Sequence, residues 1–486
     1  MNLVKSFSPK NINHQEILSA AQTLLEEPPD KKRKKSTLTI ESLITPHGIR
    51  VLVGGNPFEV VYPKKIWQKY PSPLKKLLAD NVTFSQTFHL PLLLPQYETL
   101  DYKMPNPITQ ALFFKGMVQD IPSTAFLKGA STTDLLKRFT ALKYKFEVLS
   151  RPKIANVSFP KPRRSAVIPF TFGKDSLLTY ALCRELDIAT KLIFVYEPTP
   201  DSVVEGMHKM KLAKEFFREF NADVEFLQNQ LGVMRETHGW LGWELQLTQY
   251  SLLLLPYAYA HGSRYIFFNN EQSCNFDFVN NEGFLSNPVF EQSHAWMAEN
   301  NIYTRILGAK NTFLSSPVGP IHELAILKIL HHRYKSIAKY QMSCWSETRQ
   351  AKKKRWCGHC SKCARIYIFL LALGVDPRTV DFKDDMLAPQ NKNHYSIFEN
   401  GSNKLEGYDA TRVGRDEQLL AFYLTYKRGF RGGVMDEFIK KHLVEASSRE
   451  RELRRTFFGI YPATTVPEEL KPQILSIFKR ELKYLR

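Results

Sequence analysis

The chain has 486 residues, which is too many for one ordinary hydrophobic core, so two or three domains are expected. Hydrophobic residues make up 43% and aromatic residues 12% of the chain, which excludes a globally disordered protein. The net charge of +19 is typical of a surface that attracts polyanions such as nucleic acid or nucleotides, although it also fits a solvated surface that only keeps the protein soluble.

Residues 1–36 are predicted to form a weakly ordered arm. Helical spacing of apolar residues at 14–27 predicts one short helix, and two prolines followed by the basic run at 31–35 indicate a linker. The N-terminal segment lacks the continuous apolar stretch of a secretory signal. The apolar run at 250–260 is shorter than the roughly eighteen residues of a membrane helix, and Pro256 interrupts it. We therefore expect a cytoplasmic protein with no membrane partner.

Residues 37–150 are predicted to form an accessory α+β domain. Strand-like alternation surrounds a turn at 45–48, and the pattern at 132–149 predicts a helix. We find no catalytic motif in this region. A polar, proline-bearing stretch at 150–164 indicates a second linker.

From residue 164 onward the pattern changes to strands alternating with helices. The predicted strands lie at 165–170, 190–197, 223–228 and 264–270. This order predicts an α/β fold whose parallel sheet is covered on both faces and binds ligands at the carboxyl ends of its strands. We assign this domain to 164–385 and a helical C-terminal region to 395–486.

The loop between the first of these strands and its helix has the composition of an anion site. Gly173 lets the backbone approach an anion, Lys174 adds positive charge, and Ser176 offers a hydroxyl at the N-terminus of the helix. Asp175 would repel phosphate, but it suits the holding of Mg²⁺ on pyrophosphate. The structural alternative is an ordinary strand-to-helix turn capped by Asp175.

The loop resembles the S-G-G-x-D-S pyrophosphate loop of the ATP pyrophosphatases, the PP-loop superfamily that includes GMP synthetase and tRNA-modifying enzymes. Its six places are filled here by Thr171, Phe172, Gly173, Lys174, Asp175 and Ser176. Thr171 keeps the hydroxyl of the first place. Phe172 departs from the pattern, because a side chain there disfavours a positive φ and adds bulk. We therefore expect Phe172 to change either the affinity for a nucleotide or the path of the loop.

A cysteine cluster is the second chemical signal. Cys357, Cys360 and Cys363 have C-x2-C-x2-C spacing, and Cys344 lies upstream. Four thiolates complete a closed tetrahedral zinc site with a structural role. An iron–sulfur cluster is the rival, but the downstream cysteine and proline of the ferredoxin pattern are absent. His359 lies inside the cluster and is a weaker candidate ligand.

The combination of this loop, a parallel sheet and a late cysteine site resembles 7-cyano-7-deazaguanine synthase, an enzyme of queuosine biosynthesis. The resemblance covers 164–385 and leaves both flanks unexplained, as in long, divergent relatives, some of which are associated with antiviral defence in bacteria. It implies a ligase that uses ATP, Mg²⁺ and zinc to adenylate 7-carboxy-7-deazaguanine or an analogue. An amine then displaces AMP to give an amide, and a second activation gives the nitrile.

The resemblance also implies roles for individual residues. Lys174, Asp175 and Ser176 would act on the departing pyrophosphate, and the backbone of Val195 or Tyr196 would contact the adenine. The substrate would meet polar residues that follow the fourth strand, namely Asn269, Asn270, Glu271 and Gln272, unless these only form a polar turn. Glu323 occupies the place where the family has a lysine at the start of a helix.

Two other functions stay open. One is a tRNA-modifying enzyme of the same superfamily, which the basic charge favours and the cysteine spacing does not. The other is a non-catalytic protein that binds a nucleotide or a partner. A protein partner that supplies the amine would explain the two flanks, whereas nucleic acid is a partner that the cysteine spacing does not favour.

Overall fold

The computed structural model describes residues 8–26, 36–147, 157, 159–199, 202–234, 245–344, 354–398 and 407–485. The predicted linker around 31–35 lies outside these residues, as does most of the linker predicted at 150–164.

The structure describes twelve strands. They are β1 (Ser36–Thr45), β2 (Gly48–Val53), β3 (Asn56–Val61), β4 (Tyr97–Tyr102), β5 (Lys143–Phe146), β6 (Arg163–Pro169), β7 (Ala189–Tyr196), β8 (Val224–Asn229), β9 (Ser263–Phe267), β10 (Phe278–Val279), β11 (Leu285–Ser286) and β12 (Phe313–Ser315).

Ten of these strands form one mixed sheet in the order β12-β9-β6-β7-β8-β3-β2-β1-β4-β5. The strands from β12 to β8 are parallel to one another, as are β1, β4 and β5. β3 and β2 join these two parallel parts through antiparallel pairs. The predicted parallel sheet is therefore present, as part of a larger α/β sheet.

The described helices in the first half of the chain are α1 (His14–Glu26), α2 (Lys64–Lys69), α3 (Ser72–Thr87), α4 (Leu90–Leu93), α5 (Gln110–Lys128), α6 (Thr132–Thr140), α7 (Lys174–Glu185) and α8 (Ser202–Phe220). Those in the second half are α9 (Gln246–Leu253), α10 (Leu255–His261), α11 (His294–Ile306), α12 (Glu323–Arg333), α13 (Lys335–Ala338), α14 (Ser361–Ala372), α15 (Arg412–Lys427), α16 (Val434–Lys441), α17 (Leu443–Ser448), α18 (Glu450–Phe457) and α19 (Lys471–Leu482).

Both faces of the sheet are buried, because successive side chains of each strand point to opposite sides. Along β6, Ala166 and Ile168 belong to one core together with α7, α12 and α14. Val167 belongs to the core on the other face, which also contains residues of α3, α5 and α9. This arrangement leaves the loops at the strand ends free to form a site.

The region predicted as an accessory domain and the region from residue 164 onward share this one sheet. Val60 and Val61 of β3 pair with Asn229 and Gln228 of β8. α1, inside the predicted arm, also reaches the second region, since His14 Nε2 lies 2.8 Å from the hydroxyl of Tyr196. The domain boundaries themselves stay a prediction.

The helix predicted at 132–149 is wrong beyond Thr140, because β5 follows α6. Along β5, Lys143 and Lys145 are exposed, whereas Tyr144 and Phe146 are half-buried. Tyr144 and Phe146 both pack against Phe84 of α3. This alternation has the period of a strand, which the longer helical pattern before it concealed.

The C-terminal helices pack on the same core as α7 and α14. Leu419 and Phe422 of α15 and Phe438 of α16 are fully buried there. Among the residues that the structure describes, none of the helices combines the length and the apolar character that a membrane crossing requires.

Candidate functional site

A cavity of about 620 Å³ lies at the carboxyl ends of β6, β9 and β12. One wall is the loop that leads into α7, and another is the segment after β9 with the start of α12. The cysteine cluster and residues 407–409 close the remaining sides. A cavity at this edge is where parallel sheets bind their ligands.

The loop into α7 adopts a left-handed conformation at Phe172, whose φ is +57°. A side chain disfavours positive φ, and the burial of the Phe172 ring offsets that cost here. Phe172 is fully buried, and its ring packs edge-on against Phe170 and Phe216 at centroid distances of 4.8 and 5.7 Å. The loop therefore has a glycine-like turn at a position where the side chain serves the core.

Two contacts from outside the loop hold this turn. The Met342 N–H donates to the Phe172 carbonyl oxygen over 2.8 Å. Lys209 Nζ, on α8, donates to the carbonyl oxygens of Thr171 and of Met342, the latter over 2.7 Å. Lys209 is buried, and its Nζ lies 3.8 Å from the carboxylate of Glu205. The segment just before Cys344 is thus fastened to the loop.

The start of α7 presents donors to the cavity. The first N–H groups of a helix have no intrahelical acceptor and carry a partial positive charge. Gly173 and Lys174 line the cavity. The Ser176 hydroxyl instead donates to the Gly173 carbonyl oxygen over 3.1 Å and does not line the cavity.

Lys174 lies at the centre of three carboxylates. Its Nζ is 2.8 Å from Asp175, 3.3 Å from Glu271 and 3.4 Å from Glu323. Burial alone would lower the pKa of Lys174, but these three charges outweigh it and raise that pKa well above its ordinary value. Burial raises the pKa of Asp175 and, more strongly, that of Glu271. The amine is therefore held as a cation inside an acidic cluster.

A second cation, Arg365 of α14, extends this network. Its Nε lies 3.4 Å from Glu323, and its Nη1 donates to Asp409 over 2.8 Å. Glu417 stands behind them, where it accepts from the Leu324 N–H and from the Tyr408 hydroxyl, both over 2.8 Å. Burial raises the pKa of Glu417 to about 8. The described charges around the cavity thus include more acids than bases.

The four predicted cysteines come together beside the same cavity. The sulfur atoms of Cys344, Cys357, Cys360 and Cys363 all lie within 4.8 Å of one another. In the part of the chain that the structure describes, no other group of three or more Cys, His, Asp or Glu meets that distance. Three backbone N–H groups donate to these sulfurs at 3.4 Å, which favours thiolates. The cluster could hold a metal such as zinc.

Gly358 makes the turn between the cysteines possible. Its φ is +74°, and a Cβ there would lie 2.6 Å from Asp384 Oδ2. His359 next to it is exposed and bonds to the cluster through its N–H, which donates to Cys357 Sγ. The candidate ligand set is therefore the four thiols, without the His359 ring.

No protein-family model, curated protein or solved structure matches the chain. The resemblance to 7-cyano-7-deazaguanine synthase therefore stays a prediction, and the cavity is interpreted from its own residues.

The structure brings part of the predicted site together. Thr171, Gly173, Lys174, Asp175 and Glu271 line the cavity, as do Cys344, Cys357 and Cys360. The other predicted residues are not among its lining residues, namely Phe172, Ser176, Val195, Tyr196, Asn269, Asn270, Gln272 and Cys363.

Three of the predicted residues that do not line the cavity make hydrogen bonds within the fold. Asn269 Nδ2 donates to the Pro169 carbonyl oxygen over 3.0 Å, which ties the end of β9 to β6. The Asn270 carbonyl oxygen accepts from Ser316 over 2.6 Å. The Tyr196 side chain is buried and meets Ser202 as well as His14. These contacts position the strand ends.

The sequence analysis missed Lys209, Arg365 and Asp409. Arg365 is a lone charge at the start of the apolar stretch 364–375, and Lys209 lies on the buried face of α8. A charged residue on an apolar helix face is rarely buried without a partner, so both positions carried a usable signal. The sequence gives no such signal for Asp409, because the residues before it show no regular spacing of apolar residues.

Proposed function

We propose that the protein activates a carboxylate with ATP, releases pyrophosphate, and passes the acyl group to an amine. The observation that carries this proposal is that the anion-type loop before α7 and the cysteine cluster line one cavity. The same two elements carry the resemblance to 7-cyano-7-deazaguanine synthase. We therefore propose 7-carboxy-7-deazaguanine, or a close analogue, as the carboxylate.

The first step places negative charge on the departing pyrophosphate. The N–H groups at the start of α7 and the ammonium of Lys174 are suited to receive that charge. Lys174 also supplies a cation next to Glu323, where the family would have its own lysine at the start of the helix. This placement supports a role for Lys174 on the pyrophosphate.

Magnesium fits the acidic character of the cavity. ATP alone would be repelled by Asp175, Glu271 and Glu323, whereas a divalent cation offsets the charge of both nucleotide and protein. Mg²⁺ is commonly held by one or two carboxylates together with phosphate oxygens, and Asp175 is the carboxylate nearest the phosphate loop. When bound, the ion would supply charge neutralisation for the phosphates.

The second step is attack of an amine on the carbonyl carbon of the acyl-adenylate. The C–N bond forms, the bond from the carbonyl carbon to the phosphate oxygen breaks, and AMP leaves with the electron pair. Ammonia gives a primary amide, which a second activation would dehydrate to the nitrile. An amine on a protein partner gives a stable amide instead, and the basic surface would suit an acidic partner.

The experiment is incubation of the protein with ATP, Mg²⁺, 7-carboxy-7-deazaguanine and ammonium, followed by measurement of AMP and pyrophosphate. Both should form in equal amounts with the wild type, and Asp175→Ala should abolish them. Asp187→Ala is the matched control, because Asp187 is exposed beyond the other end of α7.

Each other outcome has a distinct meaning. No AMP with any deazapurine acid contradicts the proposal and favours a non-catalytic binding protein. AMP that forms only when tRNA is added supports the tRNA-modifying alternative. Unchanged turnover in Asp175→Ala places the nucleotide elsewhere.

A further inference from the structure

A buried serine and histidine meet at the wall of the cavity. Ser273 lines the cavity and lies in the short turn after β9. Its Oγ is 2.9 Å from Nδ1 of His322, the residue just before α12. Glu271, two residues before Ser273, contacts Lys174, so the serine lies on the wall that faces the start of α7.

The His322 ring is fixed in this orientation. It packs edge-on against Phe457 and Tyr461, with centroid distances of 5.2 Å to each. Burial lowers the pKa of His322 to about 3, and the positive end of α12 acts in the same direction. At neutral pH His322 is therefore a neutral imidazole, the form that can accept a proton.

A hydroxyl with a neutral histidine at hydrogen-bond distance is the usual arrangement for moving a proton at a reacting centre. The Tyr408 hydroxyl also interacts with Ser273 and donates to Glu417 over 2.8 Å. The serine that lines the cavity is thus held from two sides.

We propose that Ser273 and His322 form a proton relay for the attack of the amine on the acyl-adenylate. The amine nitrogen bonds to the carbonyl carbon and AMP leaves with the electron pair. The proton that the nitrogen loses passes to Ser273 Oγ, whose own proton passes to His322 Nδ1. The negative phosphate of the adenylate favours the resulting imidazolium. This assignment rests on the adenylating activity proposed above.

The test separates the two half-reactions. Wild type and Ser273→Ala are incubated with ATP, Mg²⁺, 7-carboxy-7-deazaguanine and ammonium, and pyrophosphate and amide are both measured. The pyrophosphate released by Ser273→Ala in a first turnover should stay within about twofold of the wild type. Its amide formation should fall by about 10²- to 10⁴-fold, the range for loss of a general base. Ser251→Ala is the control, because Ser251 is a fully buried serine that does not line the cavity.

A second variant distinguishes chemistry from packing. His322→Asn keeps an acceptor near the position of Nδ1 but no base. It should lower the ratio of amide to pyrophosphate as Ser273→Ala does, even after correction for the folded fraction measured by thermal unfolding. A purely structural role would lower both products together.

The outcomes that overturn the relay are specific. Full amide formation by Ser273→Ala overturns it while leaving the adenylating activity intact. An acyl group found on Ser273 by mass spectrometry overturns it in favour of a covalent intermediate. If the wild type releases no pyrophosphate, the proposed function and the relay fall together.

Discussion

The carbonyl oxygen of Phe172 accepts a hydrogen bond from the backbone N–H of Met342 over 2.8 Å. Met342 stands two residues before Cys344, and Phe172 is the left-handed residue of the loop into α7. A backbone hydrogen bond therefore joins the segment before the cysteine cluster to the loop at 171–173. Lys209 strengthens this connection, because its Nζ donates to the carbonyl oxygens of Thr171 and Met342. A metal at the cysteines would stabilise the loop through this contact.

Lys209→Met should weaken the connection between the loop before α7 and the segment before Cys344. The change leaves two buried carbonyl oxygens without their donor, which costs about 1–3 kcal/mol of unfolding free energy. Part of that loss is offset, because burial already disfavours the ammonium and lowers its pKa to about 8. Denaturant unfolding and the rate of metal release to a chelator measure the effect. Lys211→Met, at an exposed position on the same helix, should match the wild type. Equal release rates in all three proteins would contradict the coupling.

Phe172→Gly should destabilise the protein although it relieves an unfavourable backbone conformation. Loss of a buried phenylalanine costs about 3–5 kcal/mol, whereas left-handed φ costs a non-glycine residue about 1–2 kcal/mol. A net loss of about 1–4 kcal/mol is expected from denaturant unfolding. Asp187→Gly provides the comparison, because Asp187 has φ +53° and an exposed side chain. That variant should be as stable as the wild type or more so, and a stabilised Phe172→Gly would show that the ring contributes little.

The purified protein should contain about one zinc ion per chain, as a closed four-thiolate site would. Cys360→Ser should lower both the zinc content and the thermal stability, because metal binding and folding are coupled. Elemental analysis with unfolding curves gives both quantities. Cys183→Ala is the control, since Cys183 is a buried thiol of α7 outside the cluster. Iron with sulfide, or a fully folded protein without metal, would be the contrary result.

Glu291 predicts a pH dependence that is separate from the cavity. Burial raises its pKa to about 8, against 4.5 for the ordinary group. The folded state therefore binds more protons than the unfolded state between these values, so this contribution to stability is full below pH 4.5 and is lost as the pH rises to about 8.

Glu291→Gln should remove that dependence, because glutamine stays neutral at every pH. Relative to the wild type, the variant should gain unfolding free energy between pH 5 and pH 8, by about 1.4 kcal/mol for each pKa unit removed. Urea unfolding at the two pH values measures the gain. Glu468→Gln, at a side chain that is 84% exposed, should show no such gain. If the difference in unfolding free energy between Glu291→Gln and the wild type is the same at pH 5 and pH 8, the pKa of Glu291 lies near its ordinary value.

Local patterns in the sequence predicted much of this fold. Short apolar runs between helical segments predicted β6 to β9, helical spacing predicted α7 and α8, and the cysteine spacing predicted a four-thiol cluster. The link between β3 and β8 could not be predicted, since strand pairing across so much chain leaves no local pattern. The strand β5 was missed because four residues are too few to stand out beside a strong helical pattern.

The candidate site was predictable where its residues follow one another in the chain. Gly173, Lys174 and Asp175 form one loop, and Glu271 directly follows a strand end. Lys209, Arg365 and Asp409 come from three distant elements, and only packing brings them to the cavity. Val195 and Tyr196 were assigned backbone contacts to the adenine from the family resemblance, and that assignment stays a prediction.

The pairing of β3 with β8 has a consequence for synthesis of the chain on the ribosome. Val61 is made long before Gln228, its partner in the sheet. At about 5–20 residues per second, the outer edge of β3 waits roughly ten to thirty seconds for that partner. An unpaired apolar strand edge is a template for aggregation, so a longer interval exposes the nascent chain to more aggregation. Synonymous codon changes that slow translation between residues 62 and 223 should therefore lower the yield of folded protein more than the same changes placed after residue 230.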